Sequence, residues 1–426
     1  MNDLLPTRSL DAERFRQALL ATEQLLIIQD LDGVCMGLVR DPLTRVLERR
    51  YVEAAHVLDG RFFVLTNGEH IGRRGVNRIV DAALGDPAQA AEQGLYLPGL
   101  AAGGVQSQDR YGHVTHPGVS DAEHQFLAAF PERAVHFLGD LLTKAPFSLD
   151  ASEARALAET CVLDNLASPT LNLNPLHHRF ARTPALYRQA QKATQGFVQT
   201  MLERADDEGL GNSFFLHYAP NQGRDDQGLE RILWADDDHA GTTDFQFMLR
   251  GAVKEAGVLV LLNHYYFSRT GHYPLGEDFN AREAPADLAA LVELAAGHFD
   301  PAQMPRLVGV GDTLTSTTGD DGQRQRGGSD RGFLTLVQAL GQRFDTGNIV
   351  IFVDSSAGEV RRPGVIKNAF RPDDDTVPIE ALAGLSDPED PLQPNLIMPG
   401  GHVQYINWFC ALAAALSPGP SPVGRP

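Results

Sequence analysis

Cysteine is scarce in this chain. It occurs three times in 426 residues, at Cys35, Cys161 and Cys410, with no pair at Cys-x-x-Cys spacing. Such a set supports neither a disulfide framework nor a zinc site, and it points to a reducing compartment. No apolar run approaches the roughly 18 residues that a membrane span needs. The first segment, MNDLLPTRSLDAERFRQALL, breaks its apolar residues with acids and so lacks the core of a signal peptide. Positive charge is also short, because 36 Lys+Arg against 55 Asp+Glu leave a net charge of -19. That balance argues against a surface for nucleic acid or anionic lipid. An anionic ligand would be drawn in only by a local cluster of positive charge or by a metal. The expectation is a soluble, cytoplasmic protein. There is no internal repeat, and the length exceeds what one core usually organises, so two lobes or a large insertion are expected.

Short apolar runs recur, each followed by turn or polar residues: LLIIQ (25–29), RFFVL (61–65), RLVGVG (306–311), NIVIFV (348–353) and NLIMP (395–399). Segments with helical spacing lie between them, among them 42–58, 71–84 and 331–344. Alternating strand and helix of this kind predicts a doubly wound α/β domain, a parallel sheet covered on both faces. In such sheets chemistry gathers at the carboxyl ends of the strands. The second and third runs are too far apart for one crossover. An insertion is therefore expected at 120–250, with catalytic segments at 1–119 and 251–416 on either side. It carries a long helical stretch at 184–209 between segments that read as loops, 168–175 and 217–228. The Pro/Gly/Ser-rich tail, 417–426, reads as disordered.

Four strand or helix ends carry chemistry. LLIIQDLDG ends in Asp30 and Asp32, which crowd two carboxylates at one strand end. FFVLTNGEH ends in Thr66, Asn67 and Gly68, a turn suited to binding an anion if a helix follows at once. Lys254 enters an apolar helix near its start. LVGVGDT ends in Gly311–Asp312. Taken singly, each has a plainer explanation as a turn, a cap or a solvated charge.

In this order the four features resemble the motifs of the haloacid dehalogenase superfamily of phosphohydrolases: Asp-x-Asp, Thr/Ser, Lys and Gly-Asp. The resemblance implies a cap inserted between the second and third motifs, and a Mg²⁺ cofactor. Asp30 would be the nucleophile that forms an aspartyl-phosphate, and Asp32 the general acid and base. The metal would lie between Asp30, Asp312 and the backbone carbonyl of Asp32. Thr66, Asn67, Gly68 and Lys254 would hold phosphate oxygens. Such relatives place one more acid shortly after the Gly-Asp pair. Here TLTSTTGDDGQRQRGGSDR intervenes, and Asp330, with Ser329, is taken as the displaced element, while Asp320 and Asp321 read as a loop tip.

Longer segments, including LLIIQDLDGVCMGLVRDPLTR, GLYLPGLAAGGVQ, GLGNSFFLHYAPNQGRD, GTTDFQFMLRGAVKEAGVL and PGGHVQY, are similar to the cyanobacterial glucosylglycerol-phosphate phosphatase family. Better-known relatives are trehalose- and sucrose-phosphate phosphatases. The similarity implies hydrolysis of glucosylglycerol 3-phosphate to a compatible solute made under salt stress. It also implies a small sugar phosphate as ligand, and it allows association with glucosylglycerol-phosphate synthase. Candidate sugar or glycerol contacts are Glu69 and His70 after the Thr-Asn-Gly turn, Asn212, His217 and Asp244 in the insertion, and His402 after Pro399–Gly400–Gly401. The pair His177–His178 reads as a loop or helix end, and Trp234 and Trp408 as packing residues.

Three alternatives stand beside this. A phosphatase for another sugar phosphate would keep the same core residues. A glycoside hydrolase would use Asp30 and Asp32 as flanking carboxylates and need no metal. A binding protein on the same fold would have no use for all of Asp30, Asp32, Lys254 and Asp312.

Overall fold

The computed structural model describes residues 5–219, 221–224, 230–236, 240–319, 322–360, 362–371 and 374–417. Asp320, Asp321 and the tail beyond 417 lie outside the described residues. The chain forms two compact units, Met1–Pro117 with Val253–Pro426, and Gly118–Ala252. Among the described residues no helix is long and apolar enough to cross a membrane.

The first unit begins with α1 (Ala12–Leu20), β1 (Leu25–Gln29), α2 (Arg49–Val57) and β2 (Phe62–Leu65). It continues through α3 (Val76–Leu84), α4 (Pro87–Gln93), β3 (Gly99–Ala101), β4 (Gln106–Gln108) and β5 (Val114–Thr115). Every residue of β1 is buried, as a strand covered on both faces requires. Alternation sends Leu25 and Ile27 into one apolar cluster with α1, α2 and residues near the carboxyl terminus, and Leu26 and Ile28 into the other. The helix expected over 42–58 starts only at Arg49. Ahead of it, Asp41 caps a short turn, Pro42–Thr44, and Arg45 leaves helical geometry with ψ 137°. The helix expected over 71–84 likewise starts late, at Val76, so no helix begins directly at the Thr66–Gly68 turn.

The second unit contains α5 (Asp121–Thr143), α6 (Ala151–Cys161), β6 (Val162–Leu163), β7 (Thr170–Asn172), α7 (Asn174–Arg179) and α8 (Pro184–Asp207). Then come β8 (Phe214–Ala219), β9 (Asn221–Arg224), β10 (Glu230–Ile232) and β11 (Asp244–Leu249). Four of these strands form an antiparallel sheet, β6-β7-β11-β8. Segments 168–175 and 217–228, expected as loops, supply β7, the end of β8 and β9. Their Asn and Pro residues hide the period-two pattern that pairing of β7 and β8 with β11, and of β9 with β10, makes visible. One sheet face packs Phe214 and Phe247 against Phe126 of α5. His177 and His178 fall in the last turn of α7. Trp234, expected to pack, is 36% exposed, with the Lys192 ammonium over its ring.

The chain returns to the first unit with α9 (Lys254–Thr270), α10 (Leu288–His298), β12 (Arg306–Gly311), and a hairpin of β13 (Thr315–Thr318) and β14 (Arg324–Gly327). The remaining elements are α11 (Arg331–Phe344), β15 (Ile349–Val353), β16 (Leu396–Met398) and α12 (Gly401–Leu416). Trp408 of α12 packs as expected, its indole N–H donating to the Ala12 carbonyl at 2.8 Å.

The main sheet has the order β16-β15-β12-β1-β2-β3-β4-β5, with parallel pairing from β16 to β3. This is the doubly wound α/β arrangement expected from the alternating pattern. From β1 the chain builds outward to β2 and β3, then resumes on the other side of β1 with β12 and builds outward to β15 and β16. The direction reverses between β1 and β12, and a crevice at their carboxyl ends follows from that reversal.

Candidate active site

Asp30 follows β1 and Asp312 follows β12, so the parallel pairing of Gln29 with Val310 brings their carboxylates to one edge. Asp330, just ahead of α11, joins them. One oxygen from each of the three lies within 4.8 Å of the others, and all three residues are buried. Lys254, at the first position of α9, places its ammonium 3.0 Å from Asp30 Oδ2 and 2.7 Å from Asp330 Oδ1. The other Asp330 oxygen accepts the backbone N–H groups of Asp312 and Thr313 at 2.9 and 3.0 Å. Arg362 Nη1 donates to Asp312 Oδ2 at 3.1 Å and to the Thr313 hydroxyl at 2.6 Å.

Two glycines make this packing possible. Gly33 has φ +80°, and a Cβ there would stand 2.1 Å from Asp312 Oδ2. A Cβ on Gly311 would fall 2.7 Å from the Asp330 Cβ. Each motif therefore contains a glycine that makes room for a carboxylate of another segment, Asp312 beside Gly33 and Asp330 beside Gly311.

Charge in the cluster is unevenly compensated. Burial pushes the Asp30 carboxyl up to about 7 against the pull of Lys254, and Asp330 and Asp32 add to the rise. Burial also lifts Asp312 well above the usual carboxylate range. Burial works against ionisation of Asp330 as well, but Lys254 and the two backbone N–H groups hold it below its ordinary value. Asp30 Oδ1 is buried and has no hydrogen-bond partner. Three carboxylates, two cations and one orphaned oxygen leave room for a further positive charge with a preference for hard oxygen donors, so the residues present fit a divalent cation.

Asp32 stands apart from this cluster. Its side chain is 26% exposed, and its Oδ1 lies 2.8 Å from Arg45 Nε. Thr66, buried at the end of β2, accepts the Gly68 N–H on its hydroxyl at 3.1 Å, so that donor is already engaged. Asn67 is exposed and Glu69 is buried.

His70, expected as a ligand contact, lies in the interior. Its ring is fully buried against the Gly99 carbonyl, with Nε2 at 3.2 Å, and burial pushes the imidazole down to about 4. The backbone N–H of His70 donates to Gln106 Oε1 at 2.6 Å. The side chain is enclosed near the β2–β3 region, with Nδ1 buried and without a hydrogen-bond partner. His402, in the first turn of α12, is half-buried beside Gly37, where a Cβ would meet its ring at 3.3 Å.

In the second unit, Asp244 and Gln246 of β11 stand opposite Asn172 and Thr170 of β7, and Gln246 stands opposite His217 of β8. These side chains share the sheet face that the phenylalanines leave. Asp244 accepts from Asn172 Nδ2 and from the Thr243 hydroxyl, both at 2.8 Å. Burial raises its carboxyl above the ordinary value. His217 Nδ1 is 3.0 Å from Glu230 Oε1. Asn212 is exposed in the turn between α8 and β8 and is not on this face.

The residues missed from the sequence are Arg45 and Arg362 in the first unit and Asn172, Gln246 and Glu230 in the second. Alternation in Thr-Leu-Asn and Asp-Phe-Gln-Phe was the available signal for Asn172 and Gln246. The two arginines carry no local signal, because their partners lie in other loops.

A family model described as glucosylglycerol-phosphate phosphatase matches residues 24–413. A protein of that name from Synechocystis sp. is 51% identical over 404 residues, covering 94% of this chain and 95% of its own. Two solved structures also align. Trehalose-6-phosphate phosphatase from Aspergillus fumigatus has a TM-score of 0.40 at 10% identity, covering 96% of this chain and 99% of its own. The C-terminal domain of the Candida albicans enzyme has a TM-score of 0.44 at 10% identity, with the same coverage. The chain belongs to the glucosylglycerol-phosphate phosphatase family.

Proposed function

We propose that this chain hydrolyses glucosylglycerol 3-phosphate to glucosylglycerol and phosphate with the help of Mg²⁺, in the making of a compatible solute under salt stress. The observation that carries the reading is the Asp30 carboxylate, buried, braced through Oδ2 by Lys254, and unpartnered at Oδ1. A nucleophile needs such a fixed orientation with one oxygen open.

Asp30 attacks phosphorus, and the ester bond to glycerol breaks as the bond to Asp30 forms. The departing oxygen takes a proton from Asp32. A water then gives a proton back to Asp32 and attacks the aspartyl-phosphate, releasing phosphate and freeing Asp30. The Thr66 hydroxyl, the Asn67 backbone N–H and Lys254 hold the phosphate oxygens, and the Gly68 N–H, which donates to the Thr66 hydroxyl, orients that group. Asp30, Asp312 and the Asp32 carbonyl would hold the ion, which when bound supplies positive charge against the phosphate. Asp330, expected as a metal ligand, stays in the reading as one, since it offers an oxygen to the same group of three carboxylates, and its contacts with Lys254 and the 312–313 backbone also set those two in place.

The second unit is read as a cap that recognises the sugar, because Asp244, His217, Asn172 and Gln246 give its sheet a polar face suited to hydroxyls. Glu69, Asn212 and His402 stay in the reading as ligand contacts, and His70 leaves it. Three unpaired cysteines support a reducing, cytoplasmic setting. Association with the synthase that makes the substrate belongs to the same reading, and co-purification of the two tests it.

A panel of sugar phosphates assayed for phosphate release with and without Mg²⁺ tests the whole. Glucosylglycerol 3-phosphate is expected to lead, and a chelator to abolish the activity. Turnover that survives the chelator would overturn the metal-dependent phosphatase reading. A lead by trehalose or sucrose phosphate would overturn the substrate.

A further inference from the structure

Arg45 closes the segment LLIIQDLDGVCMGLVRDPLTR but belongs to none of the four catalytic motifs, yet it holds the one reactive carboxylate that stands outside the carboxylate cluster. Its Nε is 2.8 Å from Asp32 Oδ1, with 15% of its own side chain exposed. Its Nη1 reaches the Arg74 carbonyl at 3.4 Å, on the loop that follows the Thr66–Gly68 turn.

The base of Arg45 is itself pinned. Asp41 accepts the Leu43 N–H on its side chain at 2.9 Å, and its carbonyl accepts the Thr44 hydroxyl at 2.8 Å. Arg78 of α3 donates to the Leu43 carbonyl at 3.1 Å. The guanidinium therefore extends from a fixed turn to a fixed loop. A solvated surface pair would be worth at most about 1 kcal/mol and would hold nothing in place. This one is mostly buried on both sides, with 15% of the arginine and 26% of the aspartate side chain exposed, and is braced at both ends of the arginine.

A carboxylate that exchanges a proton first with the departing oxygen and then with water must present one oxygen in a constant direction. A quarter-exposed aspartate with no partner would sample several rotamers. By taking Oδ1, Arg45 leaves Oδ2 as the oxygen offered to the ligand. We propose that Arg45 is the positioning residue for Asp32, orienting its carboxylate for proton exchange with the leaving group. The inference rests on the reading of Asp32 as the acid and base.

The test uses leaving groups that differ in their need for a proton. Glucosylglycerol leaves as an alkoxide unless protonated, whereas p-nitrophenol leaves readily as its anion. Release of the leaving group in the first turnover is followed for both esters with the full-length Mg²⁺-loaded enzyme. Arg45→Gln is expected to slow release of glucosylglycerol by about tenfold or more, part of the roughly 10²–10⁴ that such proton transfer supplies. Release of p-nitrophenol should barely move, and Arg45→Lys should recover part of the loss. In the Asp32→Asn background, Arg45→Gln should add nothing, because Arg45 acts through Asp32.

Equal slowing on both esters would make Arg45 merely structural and overturn the proposal, as would no slowing on either. Asp32→Asn alone separates the two levels. If it shows no leaving-group dependence, the reading of Asp32 fails. If it does and Arg45→Gln does not, only the positioning role fails.

Discussion

The Lys254 ammonium stands 2.7 Å from Asp330 and 3.0 Å from Asp30, so one buried cation joins two carboxylates from distant parts of the chain. Removing it leaves two buried acids facing each other, with only the backbone N–H groups of Asp312 and Thr313 on Asp330. Lys254→Met is therefore expected to cost about 3–5 kcal/mol of stability, the range for breaking a buried pair. Urea unfolding measures it. Adding Asp30→Asn to that variant should restore part of the loss, and an additive cost would show that the two residues do not interact.

Asp30→Asn should cut kcat by more than about a thousandfold, roughly 4 kcal/mol of transition-state stabilisation, because an amide cannot attack phosphorus. Stability should move the other way. The buried carboxyl is unwelcome in its ionised form, so the neutral amide is expected to raise the unfolding midpoint of metal-free protein at pH 8. A variant that loses activity and stability together would indicate a distorted site.

The same residue sets a pH dependence. Folding raises the Asp30 carboxyl to about 7, so between the ordinary carboxylate value and neutrality the folded chain binds more protons than the unfolded one. Stability of the metal-free protein is then present at the acid end of that window and is lost as pH rises through about 7. Asp312 shifts in the same direction. Thermal midpoints taken from pH 5 to pH 8 without metal should fall, and should fall less in Asp30→Asn. Added Mg²⁺ should reverse the fall if it binds only the folded state.

His70 acts with the opposite sign. Its imidazole is held down to about 4, so the unfolded chain takes up the proton first as pH falls below its ordinary value of 6.5. Stability is lost on going from about 6.5 toward 4. His70→Gln should flatten that loss at a cost of about 1 kcal/mol for the Gly99 hydrogen bond, with KM for the sugar phosphate unchanged. A raised KM with unchanged stability would return His70 to the ligand site.

For the second unit, His217→Ala and Asp244→Asn are expected to lower kcat/KM for glucosylglycerol 3-phosphate by about 1–3 kcal/mol, the range for a polar group left without its partner. Hydrolysis of a small phosphate ester should be nearly unaffected. Equal losses on both substrates would assign the two residues to folding.

The apolar run LLIIQ followed by Asp-Leu-Asp-Gly already specifies a strand covered on both faces and two acids at its end, because strand periodicity and strand-end chemistry are local properties of the chain. The same holds for Leu-Val-Gly-Val-Gly-Asp and for Lys254 at the head of an apolar helix. The order of these pieces was enough to indicate the phosphohydrolase pattern. Other features depended on contacts between segments far apart in sequence, which no local pattern records. Pairing across β7, β11 and β8 turned segments read as loops into strands and gathered Asn172, Asp244 and His217 on one face. Packing against β3 buried His70, which the sequence placed beside a reactive turn. Asp330 was legible as an acid near the Gly-Asp pair, but only the folded chain directs its two oxygens to Lys254 and to the 312–313 backbone. Arg45 and Arg362 were silent in the sequence, since a guanidinium acquires its partner only when separate loops are brought to the same sheet edge.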